Sequence, residues 1–156
     1  MQRKPKQMTI FRSEVHMVKR KRTTKLTTKK VQIEFNQAIV RRDSICMVRD
    51  ANPCSGQLQC SHFFNVGGSS GLRFYPYNAW CQCASHHITH HQRNQRFYDK
   101  WIESHCPEEL AWMESVMGKP VRYTQAVLRE ILDACKKDDL ETVRKIVRGL
   151  YVAESR

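Results

Sequence analysis

Four residues with metal-binding side chains are spaced in a way that strongly constrains the fold of this chain. Cys46 and Cys54 flank a turn, and Cys83 and His86 stand three positions apart at the expected start of a helix. Two ligands from a turn and two from a helix start can complete the tetrahedral Cys3His coordination that zinc favours. Zinc bound there would contribute directly to the free energy of folding. We therefore predict a structural zinc site at these four residues.

The full set of seven cysteines leaves other assignments open. We recognise no secretory signal, because no apolar segment follows the basic N-terminus, and we expect a cytoplasmic protein. In that compartment an odd number of cysteines favours metal ligation over disulfides, with unligated thiols as the alternative. Cys81 could replace Cys83 as a ligand, whereas Cys60, Cys106 and Cys135 are interpreted as packing residues.

The charge of the chain, formally +12 with 27 Lys and Arg against 15 Asp and Glu, favours a polyanionic partner. Nucleic acid comes first and an anionic membrane second, but no run of about 18 apolar residues is present to cross a bilayer. Residues 1–32 are predicted to form a basic, flexible arm that binds phosphates. The densest basic run of this arm consists of Lys19, Arg20, Lys21 and Arg22.

The hydrophobic pattern predicts an α+β chain. Helical spacing is present over residues 33–42, and turn signals then precede a predicted strand at 58–64. A glycine-rich loop leads to a second predicted strand at 72–75, and a polar, His-rich helix is expected over about 84–104. Residues 33–105 would therefore form a core in which two strands precede a helix.

Residues 106–156 are predicted to form a C-terminal helical segment. Pro107 suits the first turn of a helix. Two apolar stripes follow at helical spacing and predict a helical hairpin, packed on the core or on a second subunit. The stripes are Val127, Leu128, Ile131, Leu132 and Cys135, and then Leu140, Val143, Val147 and Leu150.

Four polar residues of the core have the types and the order that phosphodiester hydrolysis requires. His62 on the first strand could deprotonate water, and Asn78 could hold the loop through its amide. His87 and His91 are four residues apart, so they share one helix face and could bind one metal ion that stabilises the phosphate charge. The alternatives are a packed histidine, an asparagine that only makes a turn, and a solvated His-rich helix face.

His62, Asn78 and His87 in this order resemble the HNH, or ββα-metal, nuclease family. A closer resemblance is to the NinG family of lambdoid phages, also called Rap, and it covers roughly residues 33–105. The segments that carry it are Ile39-Val40-Arg41-Arg42-Asp43, Ser61-His62-Phe63, Gly67-Gly68, Leu72-Arg73-Phe74, Pro76, Asn78, Gln82-Cys83, Asn94 and Tyr98.

This resemblance implies a small zinc-stapled ββα-metal core and a metal-dependent DNA endonuclease that uses Mg or Mn. Its implied substrate is DNA that is branched, contains single strands or is a recombination intermediate, in phage recombination within the host cytoplasm. His62 would be the general base, Asn78 the orienting residue, and His87 the catalytic metal ligand with His91 as its partner. Ser61 stands where many members of the family carry an acidic or histidine ligand.

The departure at Ser61 favours an alternative, a non-catalytic zinc-stapled protein that binds DNA junctions. An RNA-binding zinc protein is a third reading that charge alone permits. In either DNA-binding case we predict phosphate contacts from the basic arm and from Arg41, Arg42 and Arg73. A junction resolver would need two active sites, so the C-terminal helices could form a homodimer interface.

Overall fold

The computed structural model describes residues 25–50, 53–92 and 96–153 and shows a small α+β fold. Within these ranges it contains a two-stranded antiparallel sheet and six α-helices. Two short 3-10 turns, Ser70–Leu72 and Pro76–Asn78, lie in the loop between the strands. The elements in chain order are α1 (Thr28–Asp43), β1 (Leu58–His62), β2 (Ala79–Cys83), α2 (Ala84–Gln92), α3 (Arg96–His105), α4 (Pro107–Val116), α5 (Gln125–Lys136) and α6 (Leu140–Ala153).

Helix α1 contains the predicted helix at 33–42 and begins five residues earlier. The Thr27 side chain caps it by accepting a hydrogen bond from the Lys30 amide at 3.3 Å. Ser44 ends it in the left-handed conformation, with φ of 56°. The buried side chains fall on one stripe that faces the core, which explains the helical period of this segment. They are Val31, Phe35, Ala38 and Ile39.

The second strand is Ala79–Cys83, and the strand predicted at 72–75 is wrong. In the hairpin Leu58 lies opposite Cys83 and His62 lies opposite Ala79. All five residues of β2 are buried, because helices cover the sheet, so the strand lacks the apolar–polar alternation of a half-exposed strand. Residues 72–75 lie instead in the turns of the loop, with Phe74 and Tyr75 fully buried in the core.

The His-rich segment forms a helix, as predicted, and this helix begins directly after β2. Over the described residues the helix expected at about 84–104 consists of α2 and α3. The order strand, strand, helix that defines the predicted core is therefore present in β1, β2 and α2. Residues 1–24 of the predicted basic arm lie outside the described residues, whereas residues 28–32, predicted to be flexible, belong to α1.

The predicted C-terminal helical hairpin is confirmed as α5 and α6, and it packs on the core of the same chain. Its buried residues share one hydrophobic cluster with α1 and with the loop between the strands. A second cluster joins the turn after α1, β2 and α3. No helix among the described residues is both long and apolar enough to cross a bilayer.

A nearly buried carboxylate, Glu109, ties α4 to α6 and to the loop. It accepts hydrogen bonds from Arg144 and Arg148, each at 2.6 Å, and from the hydroxyl of Tyr75. Burial opposes ionisation, but these three donors outweigh it and hold the pKa of Glu109 below its ordinary value. Arg148 also lies over the Trp112 ring, 4.6 Å from its centre.

Glu109→Ala is expected to destabilise the fold by about 2–4 kcal/mol, because it leaves two arginines without their shared partner. This is below the ~3–5 kcal/mol of a fully buried pair, since the arginine side chains are 26% and 34% exposed. Urea unfolding measures the loss. The control is Glu141→Ala, which removes a 53% exposed carboxylate from Arg144 and should cost no more than about 0.5 kcal/mol.

The same interaction should depend on pH in one direction. A carboxylate with a lowered pKa stabilises the fold fully above its unfolded pKa and loses that contribution as the pH falls. Glu109→Gln should therefore show a flatter loss of stability in acid than the unmodified chain. Equal destabilisation by Glu109→Ala and Glu141→Ala would contradict the assignment.

Candidate metal centre and active site

The four predicted zinc ligands come together in one cluster. Their ligand atoms all lie within 4.8 Å of one another. The Nδ1 atom of His86 is 3.3 Å from the sulfur of Cys46, 3.7 Å from that of Cys54 and 3.2 Å from that of Cys83. A tetrahedral zinc with ordinary bond lengths separates sulfur and nitrogen ligands by about 3.6 Å. The four side chains are therefore close enough to bind a metal such as zinc.

Backbone hydrogen bonds bring the turn after α1 to the end of the hairpin. The Met47 amide donates to the Cys81 carbonyl at 2.9 Å, which places Cys46 beside β2. The Ala84 amide donates to the Gln57 carbonyl at 2.9 Å, which places the segment after Cys54 against the start of α2. Gly56 permits this approach, because its φ is 79° and an added Cβ would lie 2.8 Å from the Ala84 Cβ.

The Cys83 thiol is set up to ionise at the junction of β2 and α2. Burial raises the pKa of this thiol, but the hydrogen bonds from the backbone amides of His86 and Ser55 have the larger effect and lower the pKa to about 6. A thiolate is the form that binds metal. Because these donors come from the turn and from the helix start, the fold itself prepares the ligand.

The other cysteines do not join this cluster. Cys83 takes the ligand position, so the alternative that placed Cys81 there is wrong. Cys106 and Cys135 are buried in the two hydrophobic clusters, and Cys60 packs half-buried against the larger one. Their interpretation as packing residues is confirmed.

His62 is the last residue of β1 and is half-buried beside the loop. Its Nε2 atom lies 3.1 Å from the carbonyl oxygen of Arg73. A carbonyl only accepts hydrogen bonds, so Nε2 carries the proton and Nδ1 is the basic nitrogen of the neutral ring. The imidazole stacks against Phe35 of α1, with 6.0 Å between ring centres. The geometry therefore suits an imidazole of fixed orientation and tautomer.

Asn78 holds the two ends of the loop together. It directly precedes β2, whereas the sequence placed it just after the second strand. Its fully buried amide accepts from the Phe64 amide at 2.8 Å and donates to the carbonyls of Phe64 and Leu72 at 3.1 and 3.2 Å. These bonds tie the segment that follows His62 to the segment that precedes Arg73.

Asn78→Ala should lower the free energy of unfolding by about 2–4 kcal/mol. The substitution removes three hydrogen bonds and leaves buried backbone groups unpaired, and each such group costs about 1–3 kcal/mol before relaxation. Thermal and urea unfolding measure the effect. Asn65→Ala is the matched control, because among the described residues its exposed side chain bonds only the Gly67 amide. Its loss should cost well under 1 kcal/mol. Similar losses from the two variants would contradict the clamp.

His87 lies on α2 and is oriented by β1. Its Nδ1 atom is 2.8 Å from the side-chain oxygen of Gln59, a partner that no sequence motif indicated. Gln59 is three residues before His62, which corresponds to about 10 Å along a strand. His91 belongs to the same helix, but its side chain lies outside the described part of the chain. The catalytic metal site assigned to the two histidines stays a prediction.

Ser61 directly precedes His62 on β1. It is fully buried, and its hydroxyl has no hydrogen-bond partner among the described residues. Its carbonyl accepts from the hydroxyl of Tyr98 at 3.1 Å. Among the described side chains, the Cys3His cluster is the one group of three or more potential ligands that are close enough to share a metal ion.

Arg42 makes contacts within the protein. It pairs with Asp43, donates to the carbonyls of Pro76 and Ala79 at 2.9 Å, and lies 4.3 Å from the centre of the Trp80 ring. The guanidinium thus joins the end of α1 to the start of β2. The sequence predicted only a phosphate contact here, and the structural role had no local signal because both carbonyls are more than thirty residues away.

The remaining predicted DNA contacts are only partly described. Arg41 pairs with Asp138 at 2.8 Å and has a side chain that is 43% exposed. Arg73 lies 3.4 Å from the Val66 carbonyl. DNA contact by these arginines stays a prediction. The four arm residues predicted to contact DNA lie outside the described residues; they are Lys19, Arg20, Lys21 and Arg22.

No family model, no curated protein and no solved structure matches this chain.

Proposed function

We propose that the chain is a metal-dependent DNA endonuclease of the HNH type that hydrolyses phosphodiester bonds. One observation carries the proposal. His62, with its tautomer set by the Arg73 carbonyl, ends the first strand of a hairpin that leads directly into a His-rich helix. The loop between the strands is clamped by Asn78. An imidazole with this orientation at the edge of such a loop supports the role of a general base.

The chemistry assigns different tasks to the two ends of the site. Nδ1 of His62 would accept a proton from the attacking water, and the Arg73 carbonyl would stabilise the imidazolium that results. His87 and His91 would hold Mg²⁺ or Mn²⁺, which supplies positive charge at the phosphate when bound. The Gln59 contact fits this role, because metal-binding imidazoles usually donate their second nitrogen to an oxygen atom.

The substrate we propose is branched or recombination-intermediate DNA. Phosphate contacts would supply most of the affinity and would make binding depend on salt. The formal charge of +12 supports such contacts. The Cys3His cluster would hold the turn, the hairpin and α2 in one rigid unit, so that His62 and His87 keep their relative positions.

One observation favours a second candidate, a zinc-stapled protein that binds DNA junctions without cleaving them. Ser61 stands beside the proposed base, but it is buried and offers a hydroxyl, a weak metal ligand, where a carboxylate or imidazole would strengthen a catalytic site. A binder would use the same basic surface and the same metal cluster but would have no use for the His62 tautomer.

The test compares cleavage and binding on the same DNA substrates. Purified full-length protein is incubated with labelled four-way junctions, splayed arms, linear duplex and supercoiled plasmid, with Mg²⁺, Mn²⁺ or no added divalent ion. Binding is followed in parallel by gel shift. Metal-dependent cleavage with preference for a branched substrate is the expected result. Tight binding without cleavage under every metal condition would overturn the endonuclease and leave the junction binder.

A further inference from the structure

A pocket of about 260 Å³ lies between the metal-binding turn and α3. It shares no residue with the proposed active site. It is smaller than the roughly 300–1,000 Å³ of sites for drug-sized molecules, so it suits one small group. The turn contributes Met47, Val48 and Asp50, and α3 contributes Phe97, Lys100, Trp101 and Ser104.

The α3 side of the pocket is one continuous helix face. Positions 97, 100, 101 and 104 follow the spacing of one face of an α-helix. The acidic residues of this helix, Asp99 and Glu103, do not line the pocket. The face therefore presents two aromatic rings, a hydroxyl and one positive charge.

The two aromatic side chains of the pocket, Phe97 and Trp101, differ in exposure and in packing. Phe97 is 46% exposed, so its ring is accessible to a ligand. Trp101 is fixed by two ring contacts. It packs edge-on against Trp80, with 4.7 Å between ring centres, and stacks on His105, with 4.5 Å between ring centres. A planar ligand would meet one rigid ring and one accessible ring.

Basic residues lie at or next to this aromatic pocket in the sequence. Lys100 lines it, and the exposed Arg49 and Arg96 are direct sequence neighbours of lining residues. The Asp50 carboxylate is 99% exposed and lies 3.9 Å from Arg49. Aromatic rings bordered by basic side chains are the combination that binds single-stranded nucleic acid, through base stacking and phosphate contacts.

We infer that this pocket binds one unpaired nucleobase of the DNA. The base would stack against Phe97 and Trp101, and Lys100 would contact an adjacent phosphate. Asp50 can accept a hydrogen bond from a base amino group. The inference rests on the proposed function and deepens it, because it names DNA with an unpaired base as the preferred ligand. Stacking on a ring needs no particular base, so structure rather than sequence would be recognised.

The test uses one duplex with a single bulged 2-aminopurine and the same duplex with that base paired. Binding is measured without Mg²⁺ or Mn²⁺, by titration and by 2-aminopurine fluorescence. Phe97→Ala should weaken binding of the bulged duplex by about 5- to 150-fold, the range for loss of one stacked base. The paired duplex should bind as before, and Phe97→Trp should restore both affinity and fluorescence quenching.

Ile88→Ala is the matched control, because it removes another exposed apolar side chain, 55% exposed, from α2. It should change neither affinity. Equal weakening of both duplexes by Phe97→Ala, or affinity that does not depend on position 97, would overturn the pocket while leaving DNA binding intact. Bulge-specific binding here, together with no cleavage of any substrate in the assay with Mg²⁺ or Mn²⁺, would support the pocket and overturn only the endonuclease. Binding of neither duplex would overturn both.

Discussion

Replacement of Cys83 by alanine is expected to abolish zinc binding and to lower the free energy of unfolding by more than about 4 kcal/mol. Structural zinc sites contribute about 10–16 kcal/mol in small peptides that fold only with metal. The loss should be smaller here, because the larger hydrophobic cluster around α1, α5 and α6 does not contain the Cys3His group. The purified unmodified chain should contain one zinc ion.

The turn after α1 should be most affected by zinc loss. It is held by few backbone hydrogen bonds, and Cys46 and Cys83 belong to the second, smaller cluster with Trp80. Chelation should therefore change tryptophan fluorescence while α1, α5 and α6 keep most of their helical circular dichroism. Elemental analysis and urea unfolding measure the two effects.

The control for this prediction is Cys60→Ala. Cys60 is half-buried and lies outside the ligand cluster, so its loss should leave the zinc content unchanged. Equal zinc content in Cys83→Ala and Cys60→Ala would show that the four side chains do not hold the metal.

Replacement of His62 by alanine should reduce the cleavage rate by about 10²- to 10⁴-fold, the usual contribution of a general base. Affinity for DNA should stay within about twofold, because a base that acts on water contributes little to phosphate binding. Single-turnover cleavage and gel shift on the best branched substrate measure the two quantities. The matched control is Asn65→Ala, an exposed substitution in the same loop, which should leave cleavage unchanged.

The pH dependence distinguishes a base from a residue that only maintains the loop. A general base is active only when unprotonated, so cleavage by the unmodified chain should fall in acid with unit slope. His62→Ala should lose that dependence along with most of its rate. A uniform rate loss that keeps the acid limb, or a parallel loss of DNA affinity, would assign His62 a structural role.

Much of the helical architecture could be predicted from the sequence, because a helix that covers a core shows its apolar stripe locally. The stripes at Leu128 and Ile131 and at Val143 and Val147 became the buried faces of α5 and α6. The metal cluster was also predictable, since a cysteine and a histidine three residues apart at a helix start can supply two ligands of a tetrahedral zinc site. Its wide first spacing, from Cys46 to Cys54, was accommodated by a turn containing Gly56.

The second strand of the hairpin could not be predicted from the sequence. A strand covered on both faces loses its period of two, so Ala79–Cys83 carried no strand signal of its own, and its neighbour at 72–75 resembled a strand more closely. The same limit applied to Gln59 and Phe97. Gln59 has no sequence signal that separates it from other polar strand residues, and its role depends on α2, which places His87 beside it. Phe97 is one aromatic residue among several in the sequence, and its pocket exists only because the turn with Met47 and Val48 lies opposite α3.

The sequence alone therefore determined the elements and chemical groups whose evidence is local, namely the helices, the four clustered ligands and the polar residues around the loop. Only the tertiary structure decided which strand pairs with β1, that Cys83 rather than Cys81 joins the cluster, and that Arg42 holds the end of α1 against β2. These outcomes depend on contacts between residues far apart in the sequence, from 17 positions for His62 and Ala79 to 37 for Arg42 and Ala79. Such contacts are set by packing and by the pairing of buried backbone groups, which leave no periodic trace along the chain.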